Sequence, residues 1–255
     1  MYIQAARYTE VIHLSMGRIE TGIIDGLIQN GIPAGSVVLI LGDPKSGKTT
    51  FQMQFLYNQV MLHGMPGLAI LVDMPKREFL SISRTFGWDF SSVLDEGLFL
   101  VDAYSHRIKS APKFSFSEDV IIDASNPFEI TKFISDMTKG LVAGGHSGQL
   151  VGIITSLTPL FFESDIVDIY KFLEELKDIA HRYNQVWLVE INSGIERPQV
   201  ENTVKAIVDG IVELRMFEEG RILRRYLRVY GMRRTSHSLA WVPYEITPTG
   251  IILRG

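Results

Sequence analysis

Two kinds of apolar pattern alternate along the chain. Short runs without a polar face, at 36–41, 68–73, 97–102, 150–155 and 186–191, are rich in Val, Ile and Leu, as strands covered on both faces of a parallel sheet require. The segments between them repeat apolar residues every three or four positions and predict helices over about 48–63, 76–86, 127–142 and 165–183. In the fourth of these, Ile166, Ile169, Leu173, Leu176 and Ala180 share one face, while Glu174, Lys177 and Asp178 lie off it. A shorter helical pattern at 21–27 leads into the turn Asn30-Gly31-Ile32-Pro33-Ala34-Gly35. Residues 194–203 read as a loop. Past residue 210 the pattern changes: runs at 210–216 and 222–230 flank a Glu-Glu-Gly turn and predict an antiparallel hairpin, with short strands to follow near 240–246 and 250–253.

Strand and helix in alternation, then a hairpin, describe an α/β fold: an open, mainly parallel twisted sheet flanked by helices, with a C-terminal antiparallel extension. One domain over 18–255 accommodates it, preceded by an N-terminal extension, 1–17. Residues 103–126 break the alternation, with only 120–122 as a short strand, and form the kind of long excursion that carries function or motion. In open parallel sheets ligands sit outside the carboxyl ends of the strands. Gly42, Asp73, Asp102, Thr155 and Glu190 all fall there, and they are the pool for a site.

One strand end carries a complete motif. The run 37–41 feeds Gly42-Asp43-Pro44-Lys45-Ser46-Gly47-Lys48-Thr49-Thr50, and a helical pattern starts at Lys48. This Gly-x-x-x-x-Gly-Lys-Thr spacing, the Walker A or P-loop, points backbone N–H groups at a polyphosphate, sets a mobile ammonium beside the β and γ phosphates and offers one hydroxyl to Mg²⁺. The helix N-terminus adds its positive end.

Composition narrows the class without choosing the chemistry. The chain has 255 residues, 46% hydrophobic and 21% charged, which suits a globular protein and not a disordered one. A net charge of −4 argues against a surface broadly built for nucleic acid or anionic lipid. With no cysteine, disulfides, thiolate zinc sites and cysteine nucleophiles are excluded together, which fits a reducing interior. Arg7, Glu10 and His13 interrupt the N-terminal segment, so a signal peptide is not expected. The longest apolar-rich run, 150–162, is too short to span a bilayer. A soluble, cytoplasmic protein without a membrane partner is the expectation.

Several stretches together resemble the KaiC-type branch of the RecA-superfamily ATPases. They are Ile32-Pro33-Ala34-Gly35, the P-loop, Phe86-Gly87-Trp88-Asp89, Val101-Asp102-Ala103, Met232-Arg233-Arg234-Thr235-Ser236-His237 and Ile246-Thr247-Pro248-Thr249-Gly250-Ile251, spread over about 18–253. The resemblance implies a RecA-like fold, ATP and Mg²⁺ as cofactors, and a site between neighbouring protomers of a homo-oligomer, commonly a hexameric ring. The family's late Lys-x-Arg-Gly-Thr-Ser-His strand lends cations to the next subunit's nucleotide. Here its Arg is kept as Arg233, while its Lys falls on Gly231 and its Gly on Arg234.

Three departures separate holding a nucleotide from cutting it. Where the family's second core strand ends in two glutamates that place and activate water, this chain has Asp73-Met74. Asp is shorter by one methylene, and a misplacement of about 1 Å can cost ~100-fold in rate. Where the fourth strand normally ends in an aspartate supporting Mg²⁺, this chain has Thr155. At the end of strand five, Glu190 and Asn192 bracket Ile191 where a polar sensor is expected.

The resulting candidates are Gly42, Asp43, Pro44, Lys45, Ser46, Gly47, Lys48, Thr49 and Thr50 as the nucleotide cradle, Thr49 as the metal ligand, and Asp73, Lys48 and Arg233 as the catalytic set. Glu190 is a substitute carboxylate, against which stands the repulsion of an unpaired carboxylate near phosphates. Trp88 reads first as packing and His237 as a capping or interface residue, while Arg221, Arg224, Arg225 and Arg228, with Arg233 and Arg234, form a basic hairpin that reads as a solvated face or, more sharply, as a phosphate or subunit-interface patch. The function favoured by these residues is KaiC-like ATP binding that regulates conformation or assembly, with hydrolysis slow or absent and an unidentified protein partner downstream. The alternatives are an active Mg²⁺-dependent ATPase using Asp73, and, least expected, a RecA-like DNA-binding protein.

Overall fold

The structure, a computed structural model, describes residues 17–107 and 120–254; the expected extension, apart from Gly17, and the middle of the 103–126 excursion lie outside the described residues. The chain enters through a two-stranded antiparallel ribbon, β1 (Arg18–Ile19) and β2 (Ile32–Pro33). The helix expected at 21–27 is instead a series of turns. The Asp25 carboxylate accepts the N–H groups of Thr21 at 2.7 Å and Gly22 at 2.6 Å, and the Thr21 hydroxyl accepts those of Ile23 and Ile24. Side chains that capture neighbouring N–H groups compete directly with helix formation.

The α/β core follows: β3 (Ser36–Gly42), α1 (Lys48–Tyr57), β4 (Gly67–Leu71), α2 (Lys76–Thr85), β5 (Leu98–Asp102), α3 (Pro127–Ala143), β6 (Val151–Ile154), α4 (Leu160–Glu163), α5 (Ile166–Tyr183) and β7 (Val186–Asn192). After α6 (Pro198–Ile207) come β8 (Gly210–Glu219), β9 (Ile222–Met232), β10 (Val242–Thr247) and β11 (Gly250–Leu253). One nine-stranded sheet is formed in the order β11-β10-β9-β8-β3-β7-β6-β4-β5. From β8 to β5 every neighbouring pair is parallel, and β9, β10 and β11 continue antiparallel. The expected fold class is the observed one.

Alternate residues of β3 face opposite ways, so the sheet carries two cores. Val38 and Ile40 pack with Phe51 and Phe55 of α1 and Phe79 of α2. Val37, Leu39 and Leu41 pack with Ile134 of α3, Phe172 and Leu176 of α5 and Val204 of α6. Both faces of the central strands are therefore buried, which is why their sequences show no polar alternation.

Several elements differ from the sequence reading. The helix from Lys48 is α-helical only to Tyr57 and widens into a π turn at Asn58–Leu62, where Asn58 donates to Thr21 O at 2.9 Å and Gln59 to Glu20 O at 2.5 Å. The 194–203 loop contains the start of α6, whose Pro198 sits in the first turn, where a missing N–H costs nothing. α4 is an additional short helix. The second core strand stops at Leu71, leaving Asp73 exposed two residues beyond it. Residues 120–122 meet the sheet edge only as a single bridge, Asp102 to Ile121. Trp88 is buried and stacks on Phe86 at 4.6 Å, the packing role expected of it. No helix among the described residues is long and apolar enough to cross a membrane.

Candidate functional site

β3 delivers the P-loop from the middle of the sheet, between β7 and β8: Gly42 pairs with Asn192 on one side and Leu214 on the other. A Cβ on Gly42 would lie 2.3 Å from Leu214 O, so only glycine fits. The loop turns back through left-handed conformations at Lys45 (φ 67°) and Gly47 (φ 102°), the second readily adopted by glycine. Pro44 and Lys45 form its exposed tip.

Neighbouring strands hold the loop in shape. The Asp43 carboxylate accepts Met216 N–H at 2.8 Å and Arg215 Nη1 at 3.1 Å, while Tyr244 Oη donates to Ser46 O at 2.5 Å. Arg215 also donates to Glu213 Oε1, and Arg228 donates twice to Glu213 Oε2, at 2.9 and 2.7 Å. Arg224 pairs with Glu219. Much of the hairpin's positive charge is thus neutralised within the chain.

The two side chains that carry the motif's chemistry meet β7. Lys48 is 4% exposed, and its Nζ donates to Asp43 O at 3.0 Å and Asn192 Oδ1 at 2.8 Å. Burial pulls the Lys48 pKa down, against the opposing charges of Glu190, Asp43 and Asp73. Thr49 Oγ1 donates to Glu190 Oε2 at 3.1 Å. Glu190 is 4% exposed; burial pushes its pKa up to about 8, with Lys48 opposing and Asp73 adding to the rise.

The residues present fit a nucleotide and its metal. Gly47 occupies the N-cap of α1 and has no side chain to cap it, so the first-turn N–H groups open toward the loop. Ser46 Oγ is buried in the loop without a hydrogen-bond partner. Thr49 and Glu190 are oxygen donors, the type that Mg²⁺ takes.

The other candidates divide. Asp73 is exposed at the same sheet end, and its charge acts on both Lys48 and Glu190. Met74 is buried in the core beside α1. Thr155 is not turned to a metal: its hydroxyl is buried and accepts Val72 N–H at 3.1 Å, tying β4 to β6. Arg233 is not brought to the loop within one chain. It follows Met232, which pairs with Gly210, which in turn pairs with Val38 at the opposite end of β3 from Gly42. Four strand residues span about 13 Å. There Arg233 Nη1 lies 3.5 Å from Asp209 Oδ1.

Sequence reasoning missed Asn192 as the partner of Lys48 and Arg215 as the partner of Asp43. A usable signal existed for the first, because residues 188, 190 and 192 share one strand face, and Leu188 packs in the α1 core. For Arg215 there was none, since its contact depends on β8 lying next to β3.

A family model described as "ATPase: KaiC" matches residues 19–254. A UPF0273 protein of Methanocaldococcus jannaschii is 31% identical over 241 residues, covering 93% of this chain and 96% of that protein. The circadian clock oscillator protein KaiC of Synechococcus elongatus is 28% identical over 245 residues, covering 94% of this chain and 44% of that one. The crystal structure of a KaiC-like protein from Pyrococcus horikoshii shares the fold at a TM-score of 0.71 and 24% identity, over 94% of this chain and all of that chain. With its P-loop on β3, its RecA-like sheet and a match running almost from end to end, the chain belongs to the KaiC family of ATPases.

Proposed function

We propose that this protein binds ATP with Mg²⁺ and that the bound nucleotide sets its conformation or assembly, with turnover slow or absent. Residues Gly42 to Thr50 cradle the phosphates, Lys48 compensates their charge and Thr49 ligates the metal. Bound there, Mg²⁺ would neutralise phosphate charge. The observation that carries the reading is a contrast at one sheet end: Lys48 and Thr49 are buried or half-buried in place, while the Thr155 hydroxyl is spent on Val72 N–H and Met74 packs in the core. Binding groups are intact and hydrolytic ones are reassigned.

Regulation of shape is supported by Asp43. The loop residue grips Arg215 and Met216 of β8, so a change at the phosphates pulls on the β8–β9 hairpin. The protein acts as a homo-oligomer in the cytoplasm in this reading, a ring being the geometry that brings Arg233 of one copy to the next copy's nucleotide.

Mg²⁺-dependent phosphate release, measured beside Lys48→Ala, tests the proposal. Turnover below about 1 per second, the low end of typical enzymes, is expected. Faster release that disappears in Lys48→Ala overturns slow hydrolysis and favours the active ATPase using Asp73, whose charge reaches Lys48.

A further inference from the structure

Thr155 leaves the family's metal-supporting position without a carboxylate, yet a Mg²⁺ ion beside ATP favours anionic oxygen ligands. The strand-end carboxylates can be sorted by what already holds them. Asp43 is taken by Arg215 and Met216 N–H. Asp102 accepts Tyr104 N–H, Ser105 N–H and the Ser105 hydroxyl, closing its own turn. Asp73 is exposed beyond the end of β4. Glu190 remains: it is 4% exposed, and its Oε2 lies 3.1 Å from the Thr49 hydroxyl.

A buried carboxyl group takes its charged form where it is paired or coordinates a metal. Lys48, the nearest cation in the loop, does not saturate Glu190, because its Nζ donates to Asp43 O and Asn192 Oδ1. Among the described residues, the single hydrogen bond given to the Glu190 carboxylate comes from the one side chain that the P-loop offers to a metal. β7 also lies directly beside β3, with Glu190 paired to Ile40, two residues before the loop begins. The family's usual aspartate would come from β6, one strand further away.

We infer that Glu190, on β7, is the carboxylate that supports the metal at Thr49, in place of the family's carboxylate on β6. It is a positioning residue that acts through the Thr49 hydroxyl and metal-bound water. The inference rests on the ATP-binding reading above. On the same face of β7, Asn192 places Lys48, so one strand orients both chemical side chains of the P-loop.

The test is ATP affinity of the full chain by calorimetry, in Mg²⁺ and in EDTA, for the wild type and Glu190→Gln. Wild type is expected to bind more tightly with the metal. In Glu190→Gln, affinity in EDTA stays the same or rises, because without metal nothing at the site uses the carboxylate, while the metal's benefit falls roughly 10- to 100-fold, the scale for loss of an outer metal partner. Electron paramagnetic resonance of Mn²⁺ added with ADP gives a readout independent of turnover, and less bound Mn²⁺ is expected in the variant. If Glu190→Gln fails to fold, Glu190→Asp carries the same comparison, with a withdrawn carboxylate and the same direction of change. A variant that keeps the wild-type metal benefit overturns the inference, as does one that loses metal-free affinity in parallel, or a wild type indifferent to metal. A wild type that binds no ATP in either condition overturns the nucleotide reading itself.

Discussion

The ammonium of Lys48 lies 2.8 Å from the side-chain oxygen of Asn192, the residue that β7 sets opposite Gly42. Phosphate-binding lysine and strand are thereby joined before any nucleotide arrives. In Asn192→Ala the buried ammonium loses that partner, and a hydrogen bond to a charged group is worth about 1.5–3 kcal/mol. Chemical denaturation of the nucleotide-free protein should show a loss of that size. Saturating ATP should close most of the gap, because phosphate oxygens replace the amide. A gap of equal size with and without ATP would count against Lys48 as the phosphate contact.

Gly42→Ala tests the seat of the loop. The new methyl meets a backbone oxygen of β8 at 2.3 Å, which cannot rotate away as a side chain could. Overpacking of this kind costs about 1–3 kcal/mol. The expected result is a lower denaturation midpoint together with weakened ATP binding. Normal ATP affinity at reduced stability would separate the loop's shape from its function.

The link from nucleotide to hairpin runs through Arg215 and Glu213. Glu213 is 4% exposed and holds two arginines, so Glu213→Ala leaves Arg228 without its carboxylate and Arg215 with Asp43 alone, and is expected to destabilise by about 3 kcal/mol. Arg215→Met removes the side-chain link to Asp43, leaving Asp43 its bond to Met216 N–H and Glu213 its bonds to Arg228. In that variant, hydrogen exchange of β8 and β9 should respond less to ATP than in the wild type. An unchanged response would remove the Arg215 contact from the coupling.

Arg233→Ala distinguishes subunit from assembly. Its pairing with Asp209 is 3.5 Å long on a side chain that is 58% exposed, so the isolated chain should lose less than about 1 kcal/mol. Light scattering with and without ATP should show weaker nucleotide-dependent assembly in the variant. A wild type that stays monomeric in both conditions takes Arg233 out of the nucleotide site.

The amino-acid order alone determined a good deal of this protein. Unbroken apolar runs marked the five strands β3 to β7 because a strand covered on both faces has no place for polar residues. The motif from Gly42 to Thr49 was complete because its chemistry is local: each residue acts within one loop and the first turn of one helix. Turn structure at 21–27 was harder to read, since it depends on the Asp25 and Thr21 side chains capturing neighbouring N–H groups against helix propensity, and the helix from Pro198 starts without a side-chain cap to announce it.

Tertiary structure decided which partners those local pieces meet. Period-two alternation puts Glu190 and Asn192 on one face of a strand without saying which strand lies beside it. Only the sheet order, which inserts β7 between β3 and β6, brings that face to Lys48 and Thr49. The same order turns Thr155 toward Val72 and carries Arg233 to the far end of the sheet. Strand neighbours are chosen by crossovers that pack the helices on both faces, a global condition that no short window of sequence contains.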